Sequence, residues 1–235
     1  SSEDDCLKKI TANFDIVIHA ASVNDAFVPN YPKLALNVNA WGTRNVLEAC
    51  VKANVQHITV TSSGAAYGYH ADNPSWLTEQ HPLRGNVEFA YSHHKRLIEE
   101  LLKNYRYTHP QLKQLVLRPG TVLGKTTNNQ ITDLFNKPRI IAIKGSDSPF
   151  VFIWDEDVLA IILQGVTENR EGSFNLAGDG AMGIKEIAKA LNKPVIELPA
   201  WLLKLSLRVA KLFGMTQYGP EQLNFLRYRP VLCNQ

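Results

Sequence analysis

Cysteine is scarce in this 235-residue chain, with three widely spaced copies at Cys6, Cys50 and Cys233. An odd, scattered set supplies neither a disulfide framework nor the short spacing of metal ligands, and it suits a reducing compartment. An excess of one charge is missing too. Twenty-five Lys and Arg stand against 22 Asp and Glu, a formal net charge of +3, too even for the basic stripe of a nucleic-acid binder. No apolar run approaches the roughly 18 residues that span a bilayer, and the opening residues carry no signal-peptide pattern. Internal repeats and low-complexity tracts are absent. What is there, 45% hydrophobic and 20% charged residues, is the make-up of an ordinary globule. Single cores rarely exceed about 250 residues, so the length fits one large domain or a domain with an appendage. The expectation is a cytoplasmic α/β protein, with neither nucleic acid nor membrane as partner.

The first half alternates two patterns. Phe14-Asp15-Ile16-Val17-Ile18-His19-Ala20-Ala21 is a short apolar run ending in small residues, as in a buried parallel strand. Residues 32–54 place Leu36, Val38, Trp41, Val46, Leu47, Ala49 and Cys50 at helical intervals, with Pro32 near the start. A strand over 55–62, a helix over 89–107 and a strand at Leu115-Val116-Leu117 follow, the last stopped by Arg118-Pro119-Gly120. This rhythm predicts right-handed crossovers and a parallel sheet covered on both faces.

After Gly124 the elements shorten. The pattern predicts a loop over 125–130, a short strand at Ile140, Ile141 and Ile143, and helices over 155–166, 184–191 and 199–213, with a strand over 172–176. In the last helix Lys204, Arg208 and Lys211 run beside Leu202, Leu205, Val209 and Phe213. Such a helix can lie on a membrane or cover a small lobe, and the lobe is the expectation here. Gly178-Asp179-Gly180-Ala181-Met182-Gly183 is read as a turn because it lies far downstream of the first strand.

Ligands of such sheets bind beyond the carboxyl ends of the strands, and polar residues gather there. Tyr91 and Lys95 lie four apart, on one helical face. A free tyrosine titrates near pKa 10, and a neighbouring ammonium favours its phenolate. Ser62, Ser63 and the small residues after them offer hydroxyls with room for a ligand, or else satisfy their own loop amides. His19-Ala20-Ala21 ends the preceding strand with small side chains, and Pro119-Gly120 turns the chain after the next one.

In this order the motifs resemble the extended short-chain dehydrogenase/reductases, the NAD-dependent epimerase/dehydratase family, over about residues 5 to 180. Asp15 to Ala21 looks like the cofactor-side strand, and Asn39-Ala40-Trp41-Gly42-Thr43 like the Asn-x-x-Gly-Thr helix. Ser62 to Gly68 resembles the serine segment, Tyr91 to Lys95 the Tyr-x-x-x-Lys motif, and Arg118 to Gly124 the nicotinamide-side loop. Phe152 to Val158 is similar to the segment ending in Asp-Val. The resemblance implies a Rossmann-like doubly wound sheet. Residues 1–124 would be a partial dinucleotide-binding domain and 125–235 mostly a substrate lobe, with about 150–180 returning to the sheet.

It further implies NAD or NADP as cofactor and a small molecule as substrate. Tyr91 would be the general acid/base; Lys95 would tune it and hold the nicotinamide ribose. Ser63 would hydrogen-bond the reacting oxygen. Ala20, Ala21, Asn39, Ser62, Pro119, Thr121 and Val122 would complete the cofactor side, with Asn39 linking the lysine to a water chain. Arg118 would anchor structure, and His93 and His94 would be solvated or packed against the helix. Family members often dimerise through the two long helices, so a homodimer is implied.

Two departures matter. The glycine-rich turn that cradles a dinucleotide pyrophosphate has no counterpart before Asp15, where on the order of 60 residues of the family pattern are wanting; an omitted N-terminal portion is the expectation. The acidic pair of the sugar dehydratases is replaced by Gly64 and Ala65. The reaction implied is hydride transfer at a secondary alcohol or ketone, a nucleotide-sugar or an apolar, steroid- or flavonoid-like carbonyl. A non-catalytic dinucleotide sensor is the reading from another class, and it has no need of a phenolate.

Overall fold

The computed structural model describes residues 14–23, 32–214, 219–220 and 222–234. Cys6 and the stretch before Phe14, where the sequence lacks a glycine-rich turn, lie outside the described residues. In chain order β1 (Ile16–His19) leads to α1 (Pro32–Leu36), a π-helical turn (Asn37–Trp41) and α2 (Gly42–Lys52). Then come β2 (His57–Thr61), a 3-10 turn (Gly64–Tyr67), α3 (Ala90–Thr108) and β3 (Lys113–Pro119). The later elements are β4 (Thr121–Leu123), α4 (Gln130–Asn136), β5 (Ile140–Ile143), β6 (Phe152–Trp154), α5 (Asp155–Thr167) and β7 (Gly172–Leu176). Last are α6 (Ile184–Ala190), β8 (Val195–Leu198), α7 (Ala200–Leu212) and α8 (Gln222–Arg227).

Four strands form a parallel sheet in the order β1-β2-β3-β7, with Val17 opposite Ile58, Val60 opposite Val116 and Leu117 opposite Phe174. Side chains alternate along each strand, and that alternation covers both faces. Ile58, Val60 and Val116 point to one side, into a cluster with Leu47 and Cys50 of α2 and Ile98 and Leu102 of α3. Leu115 and Leu117 point to the other, with Ile153 and Leu176, under Val158, Ile161 and Ile162 of α5. Each fully buried aliphatic side chain contributes about 1.5–3 kcal/mol relative to exposure. The doubly wound reading of the pattern is therefore the observed architecture.

Two two-stranded parallel ribbons, β4-β6 and β5-β8, extend beyond the sheet. Ile140, Ala142 and Phe150 pack there with Ile184, Ile187 and Ala188 of α6. The sequence pattern misses β4, β6, β8, α4 and α8. β4 and β6 have three residues each, too few for an alternation to register, and α4 starts from a capping box in which Asn129 and Thr132 bond each other's backbone.

α7 departs from expectation in orientation. Leu203 is buried, packing with Ile143 and Leu223, and Leu207 joins them in part. Leu202, Leu205, Val209 and Phe213, the side chains expected to cover the lobe, are exposed instead. The sequence shows an apolar stripe but not which side of it meets the body.

Candidate active site

The strand ends bring the polar residues together through a chain of backbone anchors. Ser62 N donates to Leu117 O at 2.7 Å, holding the segment after β2 against β3. Ser63, in extended conformation, caps the 3-10 turn, its Oγ accepting from Ala65 N at 3.1 Å. The turn leaves through Gly68, whose φ of +86° suits glycine. Ser92 Oγ donates to Ala65 O at 2.6 Å and accepts from Asn86 N at 3.0 Å. The first turn of α3 is thus bolted to the serine turn, and Tyr91 is carried to the cavity that Ser63 lines.

One turn along α3, Lys95 is buried. Its Nζ donates to Thr61 O at 3.1 Å and lies 5.6 Å from the centre of the Tyr91 ring. Burial pushes the ammonium pKa down to about 8, against the opposing pull of the Glu99 charge. Glu99 is engaged elsewhere. Arg118 donates to it from Nε at 2.8 Å and Nη2 at 2.6 Å, and Ser62 Oγ donates at 2.6 Å. Arg118 also reaches the Tyr67 hydroxyl from Nη1 at 2.8 Å, and Tyr67 is 2.9 Å from Asn175 Oδ1 on β7. This buried lattice ties α3, β3, β7 and the serine turn into one unit, which is the anchoring part expected of Arg118.

A cavity of about 310 Å³ opens beside these elements. Ser63, Tyr91, Pro119, Thr121 and Val122 line it, as do Tyr69, Phe89, Phe150, Val151, Phe225 and Leu232. Gly120 belongs to the same wall; a Cβ there would meet Val151 Cγ2 at 2.8 Å and Val151 O at 3.0 Å. Arg229 is the one charged residue among the described lining. Its guanidinium stacks 3.7 Å from the Phe150 ring centre and donates from Nη1 to Ser148 O at 3.1 Å. Among the described residues no carboxylate pairs with it, and burial lowers its pKa.

Ser62, Asn39, Ala20 and Ala21 stand apart from that cavity. Ser62 is buried with its hydroxyl on Glu99, and Ala20 and Ala21 are exposed beyond the end of β1. Asn39 sits in the π-helical turn, a distortion frequent at functional sites. Its Oδ1 accepts from Val23 N at 2.7 Å, and its Nδ2 donates to Val23 O at 2.8 Å and to His94 Nδ1 at 3.3 Å. Accepting at Nδ1 keeps His94 neutral, in line with a pKa lowered by burial and by the neighbouring His93. Thr43 Oγ1 donates to Asn39 O at 2.6 Å and stands 3.0 Å from His19 Nε2, so the imidazole donates there. Asn39 therefore pins the segment after β1 rather than contacting Lys95. Glu99 and the Thr61 carbonyl escaped the sequence reading, because each acts through partners distant in the chain.

Residues 2–162 match the NAD dependent epimerase/dehydratase family. The chain is 32% identical over 137 residues to an N-acetyl-alpha-D-glucosaminyl-diphospho-ditrans,octacis-undecaprenol 4-epimerase of Escherichia coli O157:H7, covering 57% of this chain and 39% of that protein. It is 38% identical over 81 residues to 3 beta-hydroxysteroid dehydrogenase type 7 of Homo sapiens, covering 34% of this chain and 20% of that one. These matches thus span two fifths or less of each relative. Among solved structures, the UDP-glucose 4-epimerase of Thermus thermophilus in complex with NAD aligns at a TM-score of 0.67 and 21% identity, over 83% of this chain and 68% of the other. Pal from Bacillus thuringiensis aligns at 0.73 and 16%, over 99% and 71%. These likenesses establish the Rossmann-like α/β fold.

Proposed function

The chain belongs to the NAD dependent epimerase/dehydratase family, and on that footing we propose that it carries the proton-transfer half of a nicotinamide-dependent oxidoreductase or epimerase acting on a secondary alcohol or ketone. The carrying observation is that Ser63 and Tyr91 line one cavity with the 119–122 loop, while Lys95 is buried one turn behind Tyr91. Residues 1–124 then hold the cofactor half and 125–235 mostly the substrate half.

The residues fit a nicotinamide ribose. An ammonium has three donors, and Lys95 makes one hydrogen bond among the described residues, to Thr61 O. Two N–H groups of a buried cation are left for ligand hydroxyls. NAD or NADP, when bound, accepts or returns the hydride. Tyr91 exchanges a proton with the substrate oxygen, and the Ser63 hydroxyl donates to that oxygen as charge builds on it. Ala20, Ala21 and the Asn39-held segment would serve the remainder of the dinucleotide, and Pro119, Thr121 and Val122 the carboxamide.

The cavity walls favour an apolar carbonyl. Tyr69, Phe89, Phe150 and Phe225 supply aromatic surface, whereas a pyrophosphate calls for converging cationic donors. The name of one sequence relative also carries a steroid, whereas that of the other carries a glycosyl diphosphate on an undecaprenol. A nucleotide-sugar is the second reading, and Arg229, half-buried at the cavity and paired with no carboxylate among the described residues, is the observation in its favour. A cytoplasmic setting and a homodimer through the α2 and α3 faces belong to the same reading; a monomer in light scattering removes the dimer.

Replacing Tyr91 with Phe tests the assignment. Turnover is expected to fall by about 10²–10⁴-fold with nicotinamide binding retained; unchanged turnover rejects it. A thermal-shift panel of steroid ketones against nucleotide-sugars separates the two substrate readings.

A further inference from the structure

α7 wears its apolar side outward. At about 100° per residue, Leu203, Leu207 and Ala210 form the seam against the lobe, and Trp201, Leu205 and Leu212 fall on the opposite side. Trp201 is 67% exposed, Leu205 50% and Leu212 82%, with Phe213 at 72% just past the helix end. Leu202 and Val209 widen this ridge on one flank. The other flank carries Lys204, Arg208 and Lys211, all exposed, and residues 200–214 contain no Asp or Glu.

We propose that α7 docks the chain on a membrane surface containing anionic lipid. The helix would lie in the plane of the interface, its ridge among the acyl chains and its basic flank at the headgroups. Trp201 suits that boundary, since an indole is apolar in body and polar at one edge. Lysine and arginine stems lie along apolar surface while their charged ends stay in water.

Length excludes a span. Thirteen residues rise about 20 Å, and a bilayer core is about 30 Å thick. Among the described residues no helix is long and apolar enough to cross. Charge separates the membrane from the other occupant, a second copy of the helix. Two such helices meeting face to face bring no acidic group to their basic flanks, whereas anionic headgroups supply negative charge along the whole of one. This docking stands apart from the reaction proposed above and is tested without turnover.

The experiment is co-sedimentation of the full chain with phosphatidylcholine vesicles, with and without phosphatidylserine, followed by tryptophan emission. Binding to the anionic vesicles is expected to exceed binding to neutral ones by about tenfold, to fall in high salt, and to shift tryptophan emission to the blue. Lys204→Glu with Arg208→Glu should remove the preference for anionic lipid. Trp201→Glu with Leu205→Glu and Leu212→Glu should abolish binding, with an unchanged melting curve because all three positions are exposed. Equal or absent binding to both vesicle types overturns the proposal. So does a ridge variant that leaves vesicle binding intact, or one that only turns a dimer into a monomer in light scattering.

Discussion

Lys95 donates a 3.1 Å hydrogen bond to the carbonyl of Thr61, the last residue of β2. A cation buried on a helix is thereby fixed to the strand end where the serine turn begins, and 5.6 Å from the Tyr91 ring centre. The cost of burying that charge shows as an ammonium that releases its proton near pH 8.

Stability should carry that signature. In the folded chain Lys95 titrates at about 8, against an ordinary value of 10.5. Below pH 8 both states hold the proton and the penalty is constant. Between 8 and 10.5 the unfolded chain holds one proton more, so this group's contribution to stability rises with pH, by up to about 1.4 kcal/mol per unit. Lys95→Met should be the more stable protein at pH 7, and its advantage should shrink as pH climbs. Urea midpoints of both proteins from pH 7 to 10 check this; parallel curves would contradict it.

The Arg118–Glu99 pair should be costly to halve and cheap to replace. Both side chains are about 5% exposed and joined at 2.6 Å. Glu99→Gln or Arg118→Met leaves one buried charge uncompensated, a loss of about 3–5 kcal/mol, whereas replacing both by apolar residues should recover much of it. A double-mutant cycle by chemical denaturation measures this. Single-variant losses under about 1 kcal/mol would show that water reaches the pair.

Asn39 should hold the segment after β1 in place. Asn39→Leu leaves the N–H and C=O of Val23 without their side-chain partners, at about 1–3 kcal/mol for a buried polar group. Asn39→Asp keeps an acceptor for Val23 N but loses the donor to Val23 O and His94. Hydrogen exchange at the Val23 amide should therefore quicken strongly in the first variant and less in the second. Equal protection in all three proteins would remove the role.

Gly120→Ala should disturb the cavity wall. The added Cβ would stand 2.8 Å from Val151 Cγ2 and 3.0 Å from Val151 O. Trimming Val151 to Ala relieves the side-chain clash but not the backbone one. A loss of about 1–3 kcal/mol is expected, only partly restored in the double variant; complete restoration would mean that the backbone yields.

Much of the sheet was legible because buried parallel strands are short apolar runs, and helices of ten residues or more show their period. The segment 172–176 is read from the sequence with the bounds it has in the structure. Tyr91 and Lys95 were legible as a pair because a helix fixes the direction of residues four apart. Only the family resemblance told Ser62 from Ser63, since nothing local says that one hydroxyl turns to Glu99 and the other caps Ala65 at the cavity. Nor did the spacing of Asn39 tell that its amide meets Val23 and His94, 16 and 55 residues away in the chain.

The sequence by itself determined the order of the sheet strands and the long helices, the parallel sheet and the residue types at the strand ends, because these follow from local periodicity and from where small and polar residues interrupt it. Tertiary structure alone decided which carboxylate neutralises Arg118, which walls enclose the cavity, and that the ridge of Trp201, Leu205 and Leu212 faces away from the body. Those are contacts between segments far apart in the chain. Which face of an element is buried depends on what packs against it, and the period of its own residues is the same either way.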